Sequence, residues 1–248
     1  PAQVIATMLG VPTTMRDKFT GWVRAVLENA AYDVEGREAA ATELREFFHE
    51  QLHDRRTNGL RDDMISELLQ AKDPDGNPYP DKLVLGMCGL LLIAGVDTTW
   101  SGIGSSLWHL ATHPEDRKRL LEEPELIDSA VEEFLRFYSP VTMARVLHED
   151  YEYNGCPMHK GDRVLMAFPA ANRDPKAFED ADKFIIDREH NRHVAFGAGI
   201  HRCAGSNLAR MEMRVAIQEF LARVPDFEID PTKETTWAGG QVRGPRNI

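Results

Sequence analysis

The segment FGAGIHRCAG, residues 196–205, stands immediately before a strong helical pattern. A thiolate at Cys203 would receive backbone N–H groups and the positive end of the helix dipole, which favour the deprotonated sulfur and suit it to bind a metal. Gly197 and Gly199 allow a tight turn with unusual φ, and Gly205 lets the helix approach a flat ligand closely. The alternative, a buried structural cysteine behind a glycine turn, is common for lone cysteines.

This segment resembles the cysteine loop of the cytochrome P450 superfamily, the haem-thiolate monooxygenases, whose pattern Phe-Gly-x-Gly-x-His-x-Cys-x-Gly is matched at every fixed position. The resemblance implies that Cys203 is the axial ligand of a haem b iron, with Phe196, Gly197 and Gly205 also at the cofactor. It implies a cytochrome P450-like fold lacking its N-terminal part, because residues 1–12 resemble a segment that lies well inside such chains. Residues 1–248 would then form one haem-thiolate domain.

Composition limits the class of protein. With 248 residues, 42% of them hydrophobic, the chain can bury a core. The 29 basic and 40 acidic residues give a net charge of −11, which argues against a general nucleic-acid binder. Three cysteines without a CxxC pair favour a reducing cytoplasm over a disulfide framework or a zinc knuckle. The longest uncharged apolar stretch, 83–96, is 14 residues long, short of the roughly 18 of a membrane span.

The order of hydrophobic patterns predicts a mainly α chain with a small β portion. Helices are expected over about 1–10, 13–32, 37–56, a short stretch capped by Asp62 or Asp63, 81–113, 115–122, 125–138 and 204–223. The 81–113 helix is apolar nearly all round in its first half and is expected to be buried there. Turn signals at Asn154 and Gly155 and at Lys160 and Gly161 predict hairpins, and short strands are expected near 235–242. The predicted arrangement is helical over 1–138, β-rich and irregular over 139–202, and a cysteine helix with C-terminal strands over 203–248.

A second motif, AGVDTT at residues 94–99, lies in the middle of the long predicted helix. Threonine can bond a carbonyl back along a helix and locally open it, which would leave a polar notch in an apolar wall. The motif resembles the acid–alcohol pair of the P450 family. That resemblance gives Thr98 a hydrogen-bonding role toward dioxygen and Asp97 a role in proton delivery, with Ala94 beside the cofactor. From the residues alone, a helix kink with an internal salt bridge is an equal alternative.

Two further motifs follow from the resemblance. Glu133 and Arg136 are three residues apart on one helix face and can form an ion pair. In the P450 family this pair is completed by an arginine before the cysteine loop, for which Arg188 is the matching position, and the triad is assigned to fold assembly. Arg145, expected just ahead of a strand, and His201 would contact haem propionates, because guanidinium and imidazole groups suit carboxylates.

Other chemistry-bearing residues receive plainer interpretations. His109 and His113 have the spacing of a zinc helix but lack the accompanying glutamate and a third ligand, so surface histidines are expected. Cys88 is expected in the core and Cys156 in a turn. Four arginines indicate either a solvated face or a docking face for an acidic electron carrier: Arg192, Arg202, Arg210 and Arg214.

The resemblance implies a soluble, cytoplasmic, bacterial-type monooxygenase that inserts one atom of O2 into a small apolar organic substrate. Electrons would come from a separate reductase and an iron–sulfur ferredoxin or similar donor, because the sequence has no flavin or iron–sulfur motif. Neither nucleic acid nor a membrane is expected as a partner. Two alternatives stay open: a peroxide-driven haem-thiolate enzyme, against which the Asp97 and Thr98 pair argues, and a non-catalytic truncated haem binder.

Overall fold

The computed structural model describes residues 1–29 and 32–248. It contains two compact units, Pro1–Trp100 and Ser101–Ile248. Both are formed mainly by helices, as the patterns predict. The single haem-thiolate domain over residues 1–248 stays a prediction.

The helices of the first unit follow one another with short connections. They are α1 (Ala2–Leu9), a 3-10 turn (Thr13–Met15), α2 (Arg16–Leu27), α3 (Val34–Asn58), α4 (Met64–Gln70) and α5 (Asp81–Thr112), the last of which ends in the second unit. Gly10 ends α1 in the left-handed conformation, with φ 69°, as helix-ending glycines do. The Asp63 carboxylate accepts from the Ser66 N–H at 2.7 Å and so begins α4, which settles the predicted choice of cap.

Two predicted boundaries near α2 are wrong. The helix was expected to begin at about residue 13, but Thr13–Met15 form a 3-10 turn and α2 begins at Arg16. The helix was expected to continue to Tyr32, whereas α2 ends at Leu27. Residues 30 and 31 of that expected extension lie outside the described part of the chain.

Helix α5 has the predicted length but not the predicted burial. Its first half buries one stripe at four-residue spacing, Val84, Cys88, Leu92 and Val96, while Leu83 and Leu90 are 42% and 65% exposed. Of the described helices, α5 alone is long and apolar enough to cross a membrane by length and composition. Within its apolar 18-residue stretch, 33% of the residues are buried. A core helix meets the same criterion, so this property alone assigns no location.

The second unit combines helices with three small sheets. Its helices are α6 (Pro114–Glu122), a 3-10 turn (Pro124–Leu126), α7 (Ile127–Tyr138), α8 (Phe168–Ala171), a second 3-10 turn (Gly199–His201) and α9 (Ser206–Arg223). Its strands are β1 (Met143–Val146), β2 (Tyr151–Tyr153), β3 (Cys156–Met158), β4 (Arg163–Met166), β5 (Trp237–Ala238) and β6 (Gly244–Pro245). The antiparallel pairs are β1 with β4, β2 with β3, and β5 with β6. Residues 172–195, between α8 and the cysteine loop, are irregular, as predicted.

The predicted hairpin turn is confirmed at Asn154 and Gly155, whose φ values of 49° and 81° are both positive. Two consecutive positive φ values are those of a type I′ turn, which matches the twist of the strands it joins. The turn is complete at Gly155, so Cys156 is the first residue of β3 and pairs with Tyr153. The expectation that Cys156 is a turn residue is therefore wrong.

The core of the second unit lies between α7 and α9. It includes Phe134, Leu135, Met213, Ile217 and Leu221, together with Leu110, Leu120, Ile127, Ala130, Val131, Ile186 and Ala195. On α9, Met213, Ile217 and Leu221 form the buried face at four-residue spacing.

His109 is the clearest departure from expectation in this unit. It was expected at the surface but is 1% exposed. Its Nδ1 lies 2.7 Å from the Tyr138 hydroxyl and its Nε2 lies 2.8 Å from an Asp116 oxygen. A neutral ring that accepts from Tyr138 and donates to Asp116 satisfies both contacts. Burial lowers the pKa of His109, and the hydrogen bond to Asp116 only partly offsets this.

Candidate functional site

The cysteine loop is closed by its own backbone. The Cys203 N–H donates to the Phe196 carbonyl at 2.9 Å, and the Gly197 N–H donates to the Val194 carbonyl at 2.9 Å. Gly197 and Gly199 both have φ 68°, in the region that favours glycine. The unusual backbone predicted for these two glycines is therefore confirmed, and it folds residues 196–203 back on themselves.

Cys203 stands just before helix α9, which begins at Ser206 with Gly205 as its N-cap. The Ser206 N–H donates to the Cys203 carbonyl at 3.4 Å. Cys203 is exposed, and its thiol makes no hydrogen bond with any residue in the described ranges. A methyl group on Gly205 would lie 3.9 Å from the Cys203 Sγ. An exposed thiol at a helix N-terminus, with its lone pairs uncommitted, fits the axial ligand of a haem iron.

His201 and Arg145 are both exposed. His201 ends the 3-10 turn inside the cysteine loop. Arg145 lies within β1, opposite Val164, and not ahead of the strand as predicted, because the strand already begins at Met143. Its Nη1 donates to the Ala144 carbonyl at 2.9 Å. Neither side chain pairs with a carboxylate in the described part of the chain, which suits both to bind an external one.

Three polar side chains next to the loop were not predicted as a group. Arg210 of α9 donates to both oxygens of Glu132, at 2.5 and 2.9 Å, and its guanidinium lies 4.6 Å from the centre of the Phe196 ring. His193 Nε2 lies 3.1 Å from the same carboxylate. Burial would raise the pKa of Glu132, but the hydrogen bonds from His193 and Arg210 lower it to about 2. Arg210 is thus committed to an ion pair and is not part of a freely solvated arginine face.

The predicted ion-pair triad is present. Glu133 and Arg136 are both 0% exposed, and Arg136 donates to the two Glu133 oxygens at 2.8 and 2.7 Å. Arg188 Nε lies 3.2 and 3.1 Å from the same oxygens. Arg136 also donates to three carbonyls of the irregular segment, those of Asn172, Ala181 and Lys183. The triad therefore ties α7 to the segment that leads into the cysteine loop.

The acid–alcohol motif lies on α5 in the first unit, and the cysteine loop lies in the second. Asp97 is 1% exposed and Thr98 is half-buried. Thr98 Oγ1 donates to the Ala94 carbonyl at 2.7 Å, as predicted. The backbone nevertheless stays α-helical through residues 94–99, so the predicted opening of the helix is not present. A carbonyl has two lone pairs, and Ala94 can accept from the hydroxyl without losing its backbone bond.

The second unit also has an open hollow of about 730 Å³ with aromatic walls. Its lining includes Trp108, Phe137, Tyr138, Trp237 and Arg173. None of the predicted site residues lines this hollow, so it is separate from the predicted cofactor contacts.

Comparison with known proteins places this geometry in a family. The family model for cytochrome P450 matches residues 3–237. A vitamin D(3) 25-hydroxylase from Pseudonocardia autotrophica is 41% identical over 231 residues, and the match covers 92% of this chain and 57% of the relative. The polyketide biosynthesis P450 PksS of Bacillus subtilis is 37% identical, with 92% and 56% covered.

Solved structures agree. A Bacillus megaterium P450 in complex with testosterone superposes with a TM-score of 0.93 at 34% identity, covering 100% of this chain and 66% of that chain. The chain thus spans less than two thirds of the length of these relatives. The predicted P450-like architecture is confirmed: this chain belongs to the cytochrome P450 family.

Proposed function

We propose that this protein is a haem-thiolate monooxygenase that inserts one atom of O2 into a small apolar organic substrate, with Cys203 as the protein ligand of the iron of haem b. The observation that carries the proposal is the exposed Cys203 thiol, which has no hydrogen bond within the described residues and stands at the start of α9 on a loop closed by its own backbone. A structural cysteine would be buried, as Cys88 is.

The surroundings of the thiol support a flat cofactor with carboxylate groups. Gly205 keeps a side chain away from the thiol, and Phe196 lies at the start of the loop, where its carbonyl accepts from the Cys203 N–H. Arg145 and His201 are exposed donors without carboxylate partners in the described ranges, and we assign them to the haem propionates. Ala94, on α5, is assigned to the wall beside the cofactor.

When bound, haem supplies the oxygen chemistry, and a thiolate ligand favours O–O cleavage by donating electron density. The chain supplies the protons. Thr98 Oγ1 holds a proton in its bond to the Ala94 carbonyl, and rotation of the hydroxyl makes that proton available to a ligand. Asp97, 1% exposed on the same helix, is the acid that replaces it.

The partners follow from the same role. Electrons are assigned to a separate iron–sulfur ferredoxin or similar donor. Relatives named as a vitamin D(3) 25-hydroxylase, a mycinamicin IV hydroxylase/epoxidase and a polyketide biosynthesis P450 support an apolar organic substrate. Their bacterial sources and the net charge of −11 support a cytoplasmic protein that binds neither nucleic acid nor a membrane.

The test replaces the proposed ligand and compares it with another exposed thiol. The haem-loaded protein, reduced and treated with CO, should show the strongly red-shifted Soret band of thiolate ligation. Cys203→Ser should lose this band, whereas Cys156→Ser should keep it, because Cys156 is exposed on β3 outside the cysteine loop. An unchanged band in Cys203→Ser would remove the ligand assignment and, with it, the proposed function.

A further inference from the structure

We propose that Arg210 is a positioning residue for the cysteine loop, which it holds by its contact with the Phe196 ring. Glu132 fixes the guanidinium, and His193 in turn binds Glu132. The inference rests on the proposed function, in which Cys203 is the iron ligand. It concerns residues outside the matched cysteine pattern.

The contact between Arg210 and Phe196 acts directly on the residue that closes the loop. The guanidinium lies 4.6 Å from the centre of the Phe196 ring, within the range of a cation–π interaction. The carbonyl of Phe196 is the acceptor for the Cys203 N–H. Because ring and carbonyl belong to one residue, fixing the ring restricts the acceptor that sets the position of Cys203.

Glu132 gives this contact its rigidity. It lies on α7 and receives two hydrogen bonds from Arg210, at 2.5 and 2.9 Å, in the parallel geometry that guanidinium and carboxylate groups favour. It also accepts from His193, whose side chain is 2% exposed. The other ring nitrogen of His193 accepts from the Ala195 N–H at 3.2 Å. The network therefore joins α9, α7 and the segment that enters the loop.

The network also holds the Arg210 guanidinium against Phe196 of the cysteine loop as one half of an ion pair with Glu132. The hydrogen bonds to Glu132 raise the pKa of Arg210 although burial opposes them, so the guanidinium stays charged. Loss of the guanidinium would leave the Glu132 carboxylate without its cation beside the loop, and an unpaired negative charge there disfavours the more negative, reduced state of the metal site. Arg210 is thus expected to influence both the geometry and the reduction potential of the site.

Arg214, one turn further along α9, provides a matched control. It also pairs with a carboxylate of α7, Asp128, at 3.7 Å. Its side chain is 44% exposed and that of Asp128 is 75% exposed. No aromatic ring lies against Arg214 in the described part of the chain. Loss of Arg214 therefore removes an ion pair between the same two helices without removing a contact to the loop.

The first experiment uses the apoprotein and measures amide hydrogen exchange at Cys203 and Gly197, whose N–H groups close the loop. Arg210→Ala should accelerate exchange at both amides by roughly tenfold or more, because the loop opens locally without global unfolding. Arg214→Ala should leave both rates within about twofold of wild type. Equal rates in wild type and Arg210→Ala would overturn the proposal.

The second experiment uses the haem-loaded protein and measures its reduction potential. Arg210→Ala should shift the equilibrium toward the oxidised form, while Arg214→Ala should not. Arg210→Gln serves as the second variant and retains a hydrogen-bond donor for Glu132. Its reduction potential should shift as that of Arg210→Ala does, because both variants remove the positive charge. If both Arg210 variants unfold while Arg214→Ala folds, Arg210 supports the fold in general and the specific role is wrong. If wild type shows no thiolate band with CO, the proposed function fails, yet the exchange rates still test the positioning of the loop.

Discussion

At the scale of single residues, two cysteines show how surroundings decide the chemistry of a thiol. Cys88 is 0% exposed on α5, and burial raises its pKa to about 11. Cys203 is exposed just before the first residue of α9. Burial stabilises a neutral thiol and shields it, whereas an exposed thiol is accessible to a metal. Cys203 is therefore suited to metal binding and Cys88 to packing.

Thr98→Ala tests the proposed handling of protons. The variant should bind haem, accept electrons and bind oxygen, but it should release hydrogen peroxide in place of oxygenated product, because the hydroxyl that supplies the proton is lost. The measurement is product formed per reducing equivalent, with peroxide assayed in parallel and a surrogate redox system as the donor. Asp97→Asn should slow turnover instead, since the hydroxyl remains.

Thr112→Ala is the control for this prediction. Its hydroxyl also donates to a carbonyl four residues back on α5, that of Trp108 at 2.9 Å, so its removal changes the helix in the same way. The amount of product formed per reducing equivalent should equal that of wild type in Thr112→Ala. It should also be close to wild type in Thr98→Ser, which keeps a hydroxyl. Unchanged coupling in Thr98→Ala would contradict the role of Thr98 and favour the peroxide-driven alternative.

The sequence was sufficient to predict residues whose role depends on local pattern. The cysteine loop requires glycine at two positions with positive φ, and such a requirement is visible in the sequence. The role of Arg210 was not predicted, because its partner Glu132 lies 78 positions away and beside a second glutamate with a different partner. The burial of His109 was not predicted either, since a histidine near a helix end has the same sequence context whether solvent or a tyrosine faces it.

At the scale of elements, α7 organises the second unit through two adjacent glutamates. Glu132 binds Arg210 of α9, and Glu133 binds Arg136 and Arg188. Neighbouring residues on a helix point in directions about 100° apart, so the two carboxylates serve different sides of the same element. One side holds the helix that follows Cys203, and the other holds the irregular segment that precedes it.

Glu133→Gln should destabilise the protein by about 3–5 kcal/mol, because it leaves Arg136 and Arg188 with an uncompensated charge in a buried site. The expected result is little soluble haem-loaded protein and a lowered midpoint of urea unfolding. Asp187→Asn is the control: its pair with Arg119 is 46% and 38% exposed and should contribute less than about 1 kcal/mol. A well-folded, haem-replete Glu133→Gln would show the triad to be dispensable.

The buried His109 predicts a dependence of stability on pH. Its pKa in the folded protein lies below the ordinary value of 6.5, so the unfolded chain binds the proton first as the pH falls. The stabilisation is complete above pH 6.5 and is lost as the pH falls toward the folded pKa. The free energy of unfolding, measured by urea titration, should therefore rise as the pH is raised through the ordinary pKa of 6.5.

Replacement of His109 by glutamine should reduce the slope of the free energy of unfolding against pH. The matched control is His159→Gln, because the His159 side chain is 74% exposed and its carboxylate neighbour, Asp150, lies at 3.6 Å. The slope in His159→Gln should equal that of wild type. An unaltered slope in His109→Gln would mean that the ring carries the same charge in both states of the chain.

The limits of prediction at this scale concern burial more than secondary structure. The length of α5 follows from its pattern, but the burial of its first half was overestimated: apolar residues lie nearly all around that half, and only one stripe at four-residue spacing is buried. Hydrophobicity indicates what can be buried; the contacts of the folded chain decide what is buried.

At the scale of the whole molecule, binding of haem should appear as stabilisation. A ligand that binds only the folded chain raises its stability by about 2.7 kcal/mol at a concentration one hundred times Kd. The thermal midpoint of the apoprotein should therefore rise with added haem. Cys203→Ser should show a smaller rise because the axial bond is lost, and Cys156→Ser should match wild type. An equal rise in wild type and Cys203→Ser would mean that haem binds elsewhere.

The hairpin of β2 and β3 has a practical consequence. Residues 151–157 are all exposed, and within the described part of the chain the two strands pair only with each other. A peptide tag spliced between Asn154 and Gly155 would point into solvent and leave the buried side chains undisturbed. The hairpin is thus a single attachment site through which the protein can be immobilised on a sensor surface in one defined orientation.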